Sequence, residues 1–210
     1  MRLRHAALFR DVLNLAERPV AGGMVLQASS FRMEAQPLSH SVPTFGYRLV
    51  EPDGRRMLPE KLAARGVTGP DVGRLQREGC LMAGDGLVTV EQVSEPRRGQ
   101  RFAFIMDTRL CDAAFLLADQ ADMLVCESTF ADAEAALARE YGHLTAGQAG
   151  RIAAESRVRL LVLTHFSQRY DPDDGQRLTA EAGMAFGGDV VMAHDLNRIP
   201  VPPRRPSAAR

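Results

Sequence analysis

The chain has 210 residues, 45% of them hydrophobic, with 26 basic and 26 acidic side chains and no formal net charge. That length predicts one substantial core in a single domain, or one domain with an excursion. The charge balance excludes a global electrostatic argument for nucleic acid or an anionic membrane, so any such case rests on local patches.

Residues 1–24 carry a short helical pattern (Leu8, Phe9, Val12, Leu13, Leu15) before Pro19 and a Gly22-Gly23 pair. Two alternating segments, 31–39 and 44–50, read as strands joined by a short connection that contains His40. From 51 to about 96 the character changes. A turn (EPDGRR) leads to a proline-opened helix at 59–65, a glycine- and proline-punctuated loop at 66–70, a helix at 71–78 and a strand at 87–93. Few large apolar residues occur there, which predicts an arm projecting from the body. Within 55–78, six basic residues (Arg55, Arg56, Lys61, Arg65, Arg74, Arg77) face three acidic ones (Glu60, Asp71, Glu78), a local excess of three positive charges.

Beyond Arg101 the pattern is α/β with buried strands: strands at 101–106, 122–126, 158–164 and 188–193, and helices at 110–119, 131–140, 146–156 and 176–185. The domain reading is therefore one body over 1–199 with the arm inserted at 51–96, followed by a proline- and arginine-rich tail, 200–210, expected to be disordered. Cys80, Cys111 and Cys126 are odd in number and lack C-x-x-C spacing, so they read as reduced thiols. No apolar stretch reaches membrane-spanning length, and the expectation is a soluble cytoplasmic protein with no membrane partner.

His40, Asp107 and His165 each follow a strand-like run, and strand ends in an α/β protein can share one rim. Two imidazoles and a carboxylate suit a borderline cation such as Zn²⁺. Each residue also has an ordinary reading: a turn or N-cap aspartate, a structural strand-end histidine, a loop histidine. His143 precedes a helix opening with Thr145-x-x-Gln148, a capping-box pattern, and Glu127 at the preceding strand end can hold its ring for proton transfer. The alternative is a surface histidine beside a cap. Arg169 and Tyr170 either clamp a phosphate or form a solvated loop pair. His5 and His194 read as incidental.

Five blocks in order, PLSHSVPTFGYR (37–48), MDTR (106–109), ESTF (127–130), YGHLTAGQA (141–149) and LTHFSQRY (163–170), resemble ribonuclease Z, the tRNA 3′-processing endonuclease family of the metallo-β-lactamase fold. The similarity covers residues 25–200. It implies an α/β fold of the metallo-β-lactamase αββα sandwich type, with the N-terminal half of the fold largely missing and 51–96 as a projecting exosite arm. It implies a zinc-dependent endonuclease that removes the 3′ trailer of precursor tRNA, with two zinc ions and a homodimer. By the same resemblance His40 helps hold the first zinc, Asp107 bridges both and His165 serves the second. His143, partnered by Glu127, assists the leaving group, and Gly69-Pro70 lies where the arm grips tRNA.

The family's upstream H-x-H-x-D-H motif has no counterpart: the histidines are 5, 40, 143, 165 and 194, and no two have that spacing. Cys126 stands where the family often has an imidazole. Three ligands shared by two metals predict weak metal affinity and weak or no activity, and a half-sandwich predicts one exposed sheet face. The competing readings are a non-catalytic tRNA-binding fragment and another phosphodiesterase of the same fold.

Overall fold

The computed structural model describes residues 16, 18–84, 86–171 and 174–204; the expected helix around residues 8–15, and His5, lie outside them. Strands β1 (Gly23–Gln27), β2 (Arg32–Pro37) and β3 (Phe45–Val50) form an antiparallel meander. After the arm come β8 (Arg101–Ile105), β9 (Met123–Glu127), β10 (Leu160–Thr164) and β11 (Asp189–Met192), which are mutually parallel. They join the meander through an antiparallel β3–β8 pairing into one seven-stranded sheet, β1-β2-β3-β8-β9-β10-β11. The apolar run LLVLT makes β10 a central strand buried on both faces, as crossover connections require.

Helices α3 (Asp112–Ala118), α5 (Ala146–Glu155) and α6 (Gly175–Phe186) cover one face. There Ile105, Leu124, Leu161 and Leu163 pack with Leu117, Ile152 and Leu178. Burial of each such side chain contributes about 1.5–3 kcal/mol. On the opposite face Met123, Leu160 and Val162 are buried with Ile199 beside them, while Tyr47 and Phe104 stay more than a third exposed. The expected open face is thus covered at one end. Residues 200–204, expected to be disordered, run past the ends of β3, β8 and β10: Gln100 donates to Pro202 O at 2.7 Å, Arg159 to Pro203 O at 2.8 Å, and Arg204 pairs with Glu51 at 2.6 Å. Those partners lie far away in the chain, which composition does not register; 205–210 fall outside the described residues.

The arm contains β4 (Gly54–Met57), α1 (Pro59–Ala64), α2 (Pro70–Glu78), the hairpin β5 (Cys80–Ala83) and β6 (Gly86–Thr89), a 3-10 turn Val90–Val93, and β7 (Ser94–Arg97). The β4–β7 ladder forms its stalk. Small aliphatic residues suffice for a core of its own, made of Leu62, Val67, Leu75, Leu81, Val88, Val90 and Val93. The expected strand at 87–93 stops at Thr89 because the Thr89/Gln92 capping box turns the chain.

Helix α4 (Ala135–Tyr141) occupies the second half of the expected 131–140 helix, after a 3-10 turn Asp132–Glu134. The three cysteines are unpaired. Burial, with the nearby Glu127 charge, pushes the Cys126 thiol far above the ordinary range, so it stays a protonated core residue.

Candidate metal centre

Strands β2, β8, β9 and β10 run in one direction, so their C-terminal ends share a rim. His40 follows β2, Asp107 follows β8, Glu127 ends β9 and His165 follows β10. Five non-glycine residues among those described have positive φ, and two of them are Asp107 (52°) and His165 (60°). Each such residue stores conformational strain, of about 1–3 kcal/mol, at the site. The left-handed turn swings both side chains back over the strand ends, leaving His165 Nε2 3.3 Å from Asp107 Oδ1.

The His40 loop and the Asp107 turn are stitched together. Ser39 N–H donates to Thr108 Oγ1 at 3.1 Å, and Arg109 N–H donates to Ser39 O at 2.7 Å. The segment bearing His143 is laid beside the end of β9: Phe130 N–H donates to Leu144 O at 3.1 Å and Ala146 N–H to Phe130 O at 2.9 Å. The expected capping box is present, with Gln148 N–H donating to Thr145 Oγ1 at 3.2 Å and Thr145 N–H to Gln148 Oε1 at 3.0 Å.

Glu127 is fully buried beneath this cluster. It accepts from Thr108 N–H (2.6 Å), Leu144 N–H (3.0 Å), the Thr129 hydroxyl (2.6 Å) and His143 Nδ1 (3.1 Å). That many donors offset the cost of burying a carboxylate. The structure therefore brings Glu127 and His143 together as the sequence predicts. The His143 ring lies between the other two imidazoles, with centroids 5.1 Å from His40 and 5.2 Å from His165.

Donor atoms of His40, Asp107 and His143 lie within 4.8 Å of one another, as do those of Glu127, His143 and His165. The expected trio of His40, Asp107 and His165 is not one of these groups: His40 and His165 fall in different ones, both containing His143, and His165 reaches Asp107 separately at 3.3 Å. Each ring has Nδ1 committed to an oxygen: His40 donates to Gly142 O at 3.0 Å, His143 faces Glu127 and His165 faces Thr129 Oγ1 at 2.9 Å. An Nδ1–H anchored in this way leaves an Nε2 lone pair, the usual arrangement of metal-binding histidines. Imidazole nitrogen with one partly exposed carboxylate fits a divalent cation of borderline softness.

Arg169 and Tyr170 stand beside the cluster. Arg169 pairs with Glu134 at 2.8 Å and lies 5.1 Å over the Phe130 ring; the Tyr170 hydroxyl also bonds Glu134 and accepts from Ala131 N–H at 2.7 Å. The Tyr170 hydrogen bond, with Arg169, holds the Glu134 carboxyl below its ordinary range. Gly69 and Pro70 are exposed where α2 begins in the arm, and His194 is exposed on the loop after β11.

Sequence reasoning missed Thr129, Gly142 and Arg109 as supports. Thr129 was within reach, because it sits two residues after Glu127 at a strand end and so shares its face. Gly142 and Arg109 carry no local signal. Arg109 donates to Arg139 O at 2.8 Å and Glu140 O at 3.3 Å, gripping the carbonyl end of α4.

No protein-family model matches the chain. It is 57% identical over 204 residues to a ribonuclease Z of Streptomyces avermitilis, covering 97% of this chain and 66% of that protein. It is likewise 57% identical over 206 residues to a ribonuclease Z of Nocardia farcinica, covering 97% and 67%. The chain therefore spans about two thirds of the length of these curated relatives. In architecture it is similar to the metallo-beta-lactamase fold protein YhfI of Bacillus subtilis, at 20% identity and a TM-score of 0.53, covering 85% of this chain and 52% of that one. The fold is accordingly that of the metallo-β-lactamases, and at this level of identity and coverage the chain belongs to the ribonuclease Z family.

Proposed function

We propose that this chain is a zinc-dependent phosphodiester hydrolase that frees the 3′ trailer of precursor tRNA in the cytoplasm, working as a homodimer. One observation carries the reading: Asp107, three Nδ1-anchored imidazoles and a buried Glu127 meet at one rim of the sheet. His40, Asp107 and His165 are the residues that would hold metal. Zinc bound there would supply positive charge against the anionic transition state and make an attacking water more acidic.

His143, with Nδ1 tied to Glu127, keeps Nε2 for proton exchange and delivers a proton to the departing 3′ oxygen. The arm supplies phosphate contacts around Gly69 and Pro70, aided by its basic side chains. Part of that charge is already engaged, since Arg56 pairs with Glu95 at 2.8 Å and Arg74 with Glu78 at 3.0 Å. Arg169 and Tyr170 contact a phosphate only if Glu134 releases them.

A second reading, tRNA binding with little cleavage, is favoured by a single fact: none of the five histidines lies in an H-x-H pair. The test is an assay of purified chain with added zinc on precursor tRNA and on a small phosphodiester. Slow trailer release that Asp107→Ala abolishes supports the nuclease reading. Salt-sensitive tRNA binding without cleavage, lost on reversing Lys61, Arg65 and Arg77 to glutamate, supports the second. Faster turnover of the small diester than of tRNA refutes both in favour of another phosphodiesterase.

A further inference from the structure

The buried Glu127 carboxylate has its hydrogen-bond directions settled by two partners that can only donate. Thr108 N–H reaches Oε1 at 2.6 Å and Leu144 N–H reaches Oε2 at 3.0 Å. A carboxylate held this way is an acceptor, so the single Thr129 hydroxyl proton, 2.6 Å from Oε2, points to it. The Thr129 oxygen is left with lone pairs, and these face His165 Nδ1 at 2.9 Å. Nδ1 must then carry a proton. Nε2 is turned towards Asp107 Oδ1, 3.3 Å away, where either a proton or a bound cation can bridge the two atoms.

We propose that Thr129 is a positioning residue whose hydroxyl transmits the orientation set by Glu127 to His165, so that the buried carboxylate that holds the His143 ring also directs the Nε2 atom of His165 towards a cation. The proposal rests on the metal-site reading and is independent of the tRNA reaction. The β9 terminus explains the geometry. Glu127 and Thr129, two residues apart, project to one side, while the left-handed φ of 60° at His165 turns its ring back onto Thr129. The simpler role for Thr129, which is 7% exposed, is to satisfy its own buried hydroxyl.

Two substitutions separate these roles: Thr129→Val keeps the shape and removes the hydroxyl, and Thr129→Ser keeps the hydroxyl. Cobalt(II) binding, followed by its visible absorption, should weaken about 10- to 100-fold in Thr129→Val, the usual effect of losing an outer partner of a metal-binding histidine, and stay near wild type in Thr129→Ser. In nitrogen-15 NMR the His165 Nδ1–H signal should be present in wild type and Thr129→Ser and absent in Thr129→Val. A Thr129→Val protein that loses thermal stability but binds cobalt like wild type overturns the proposal. So does a neutral Nε2–H tautomer of His165 in wild type, a result that needs no variant to fold. Failure of the wild type to bind cobalt removes the metal-site reading, and with it the assignment; an Nε2–H tautomer alongside cobalt binding removes the assignment alone.

Discussion

The His40 ring rests directly on the backbone of Gly142: Nδ1 donates to the Gly142 carbonyl at 3.0 Å, and a Cβ built on Gly142 would lie 2.5 Å from that same nitrogen. Gly142 also ends α4 in the left-handed conformation, with φ of 87°. The position thus requires glycine twice, once for the turn and once for the approach of the ring.

Gly142→Ala is expected to cost about 1–2 kcal/mol through its backbone conformation and to displace His40 as well. Gly142→Asn relieves much of the backbone cost, because asparagine tolerates this region, yet it still displaces the ring. Urea unfolding should therefore separate the two variants while cobalt titration finds both weakened. Wild-type cobalt affinity in Gly142→Ala would show that His40 takes no part in the site.

Glu127→Gln replaces an acceptor-only group by one that turns an NH₂ towards backbone donors. Loss of charge-assisted hydrogen bonds at a buried position should cost about 3 kcal/mol, measurable in urea, and free the His143 ring. Unchanged stability would mean that the four donors find other partners.

The arm has its own small core, so its stability should be separable from that of the body. Leu75 is fully buried there, and Leu75→Ala should cost about 2–5 kcal/mol locally. Hydrogen exchange should then show loss of protection over Gly54–Arg97, with β9 and β10 still protected. Uniform deprotection of both regions would show the arm and body folding as one unit.

The base of the arm is closed by Glu51, whose carboxylate accepts from Gln100 N–H at 3.0 Å and pairs with Arg204. Burial raises the Glu51 pKa, but the hydrogen bonds from Arg204 and Gln100 outweigh it, and the net shift is downward. A depressed carboxyl pKa stabilises the fold above the ordinary carboxylate range and ceases to do so as pH falls through the lowered value. Acidification should therefore release the 200–204 segment, seen as faster cleavage near Arg204 by an acid-stable protease. Glu51→Gln should remove that pH dependence, and an unchanged profile would refute the linkage.

The parallel half of the sheet was legible because its strands are short apolar runs such as LLVLT between amphipathic helices; β8 to β11, α3, α5 and α6 fall within a few residues of where periodicity puts them. Strands β1, β4, β5 and β7 were not anticipated. All four are short, β1, β4 and β7 contain glycine, arginine or proline, and each exists by pairing with a neighbour; β4, for example, reads as a turn in the absence of β7.

The site divides along the same line. Residue type and local position marked His40, Asp107, Glu127 and His165 at strand ends and His143 before a capped helix, each beside an ordinary reading, and the resemblance to ribonuclease Z joined them into one candidate site. Which ring nitrogen each imidazole keeps free is a different kind of fact. It depends on contacts between residues 102 apart for His40 and Gly142, and 36 apart for Thr129 and His165. Hydrogen-bond direction and a left-handed φ emerge when distant segments close on one another, and no periodicity along the chain encodes them.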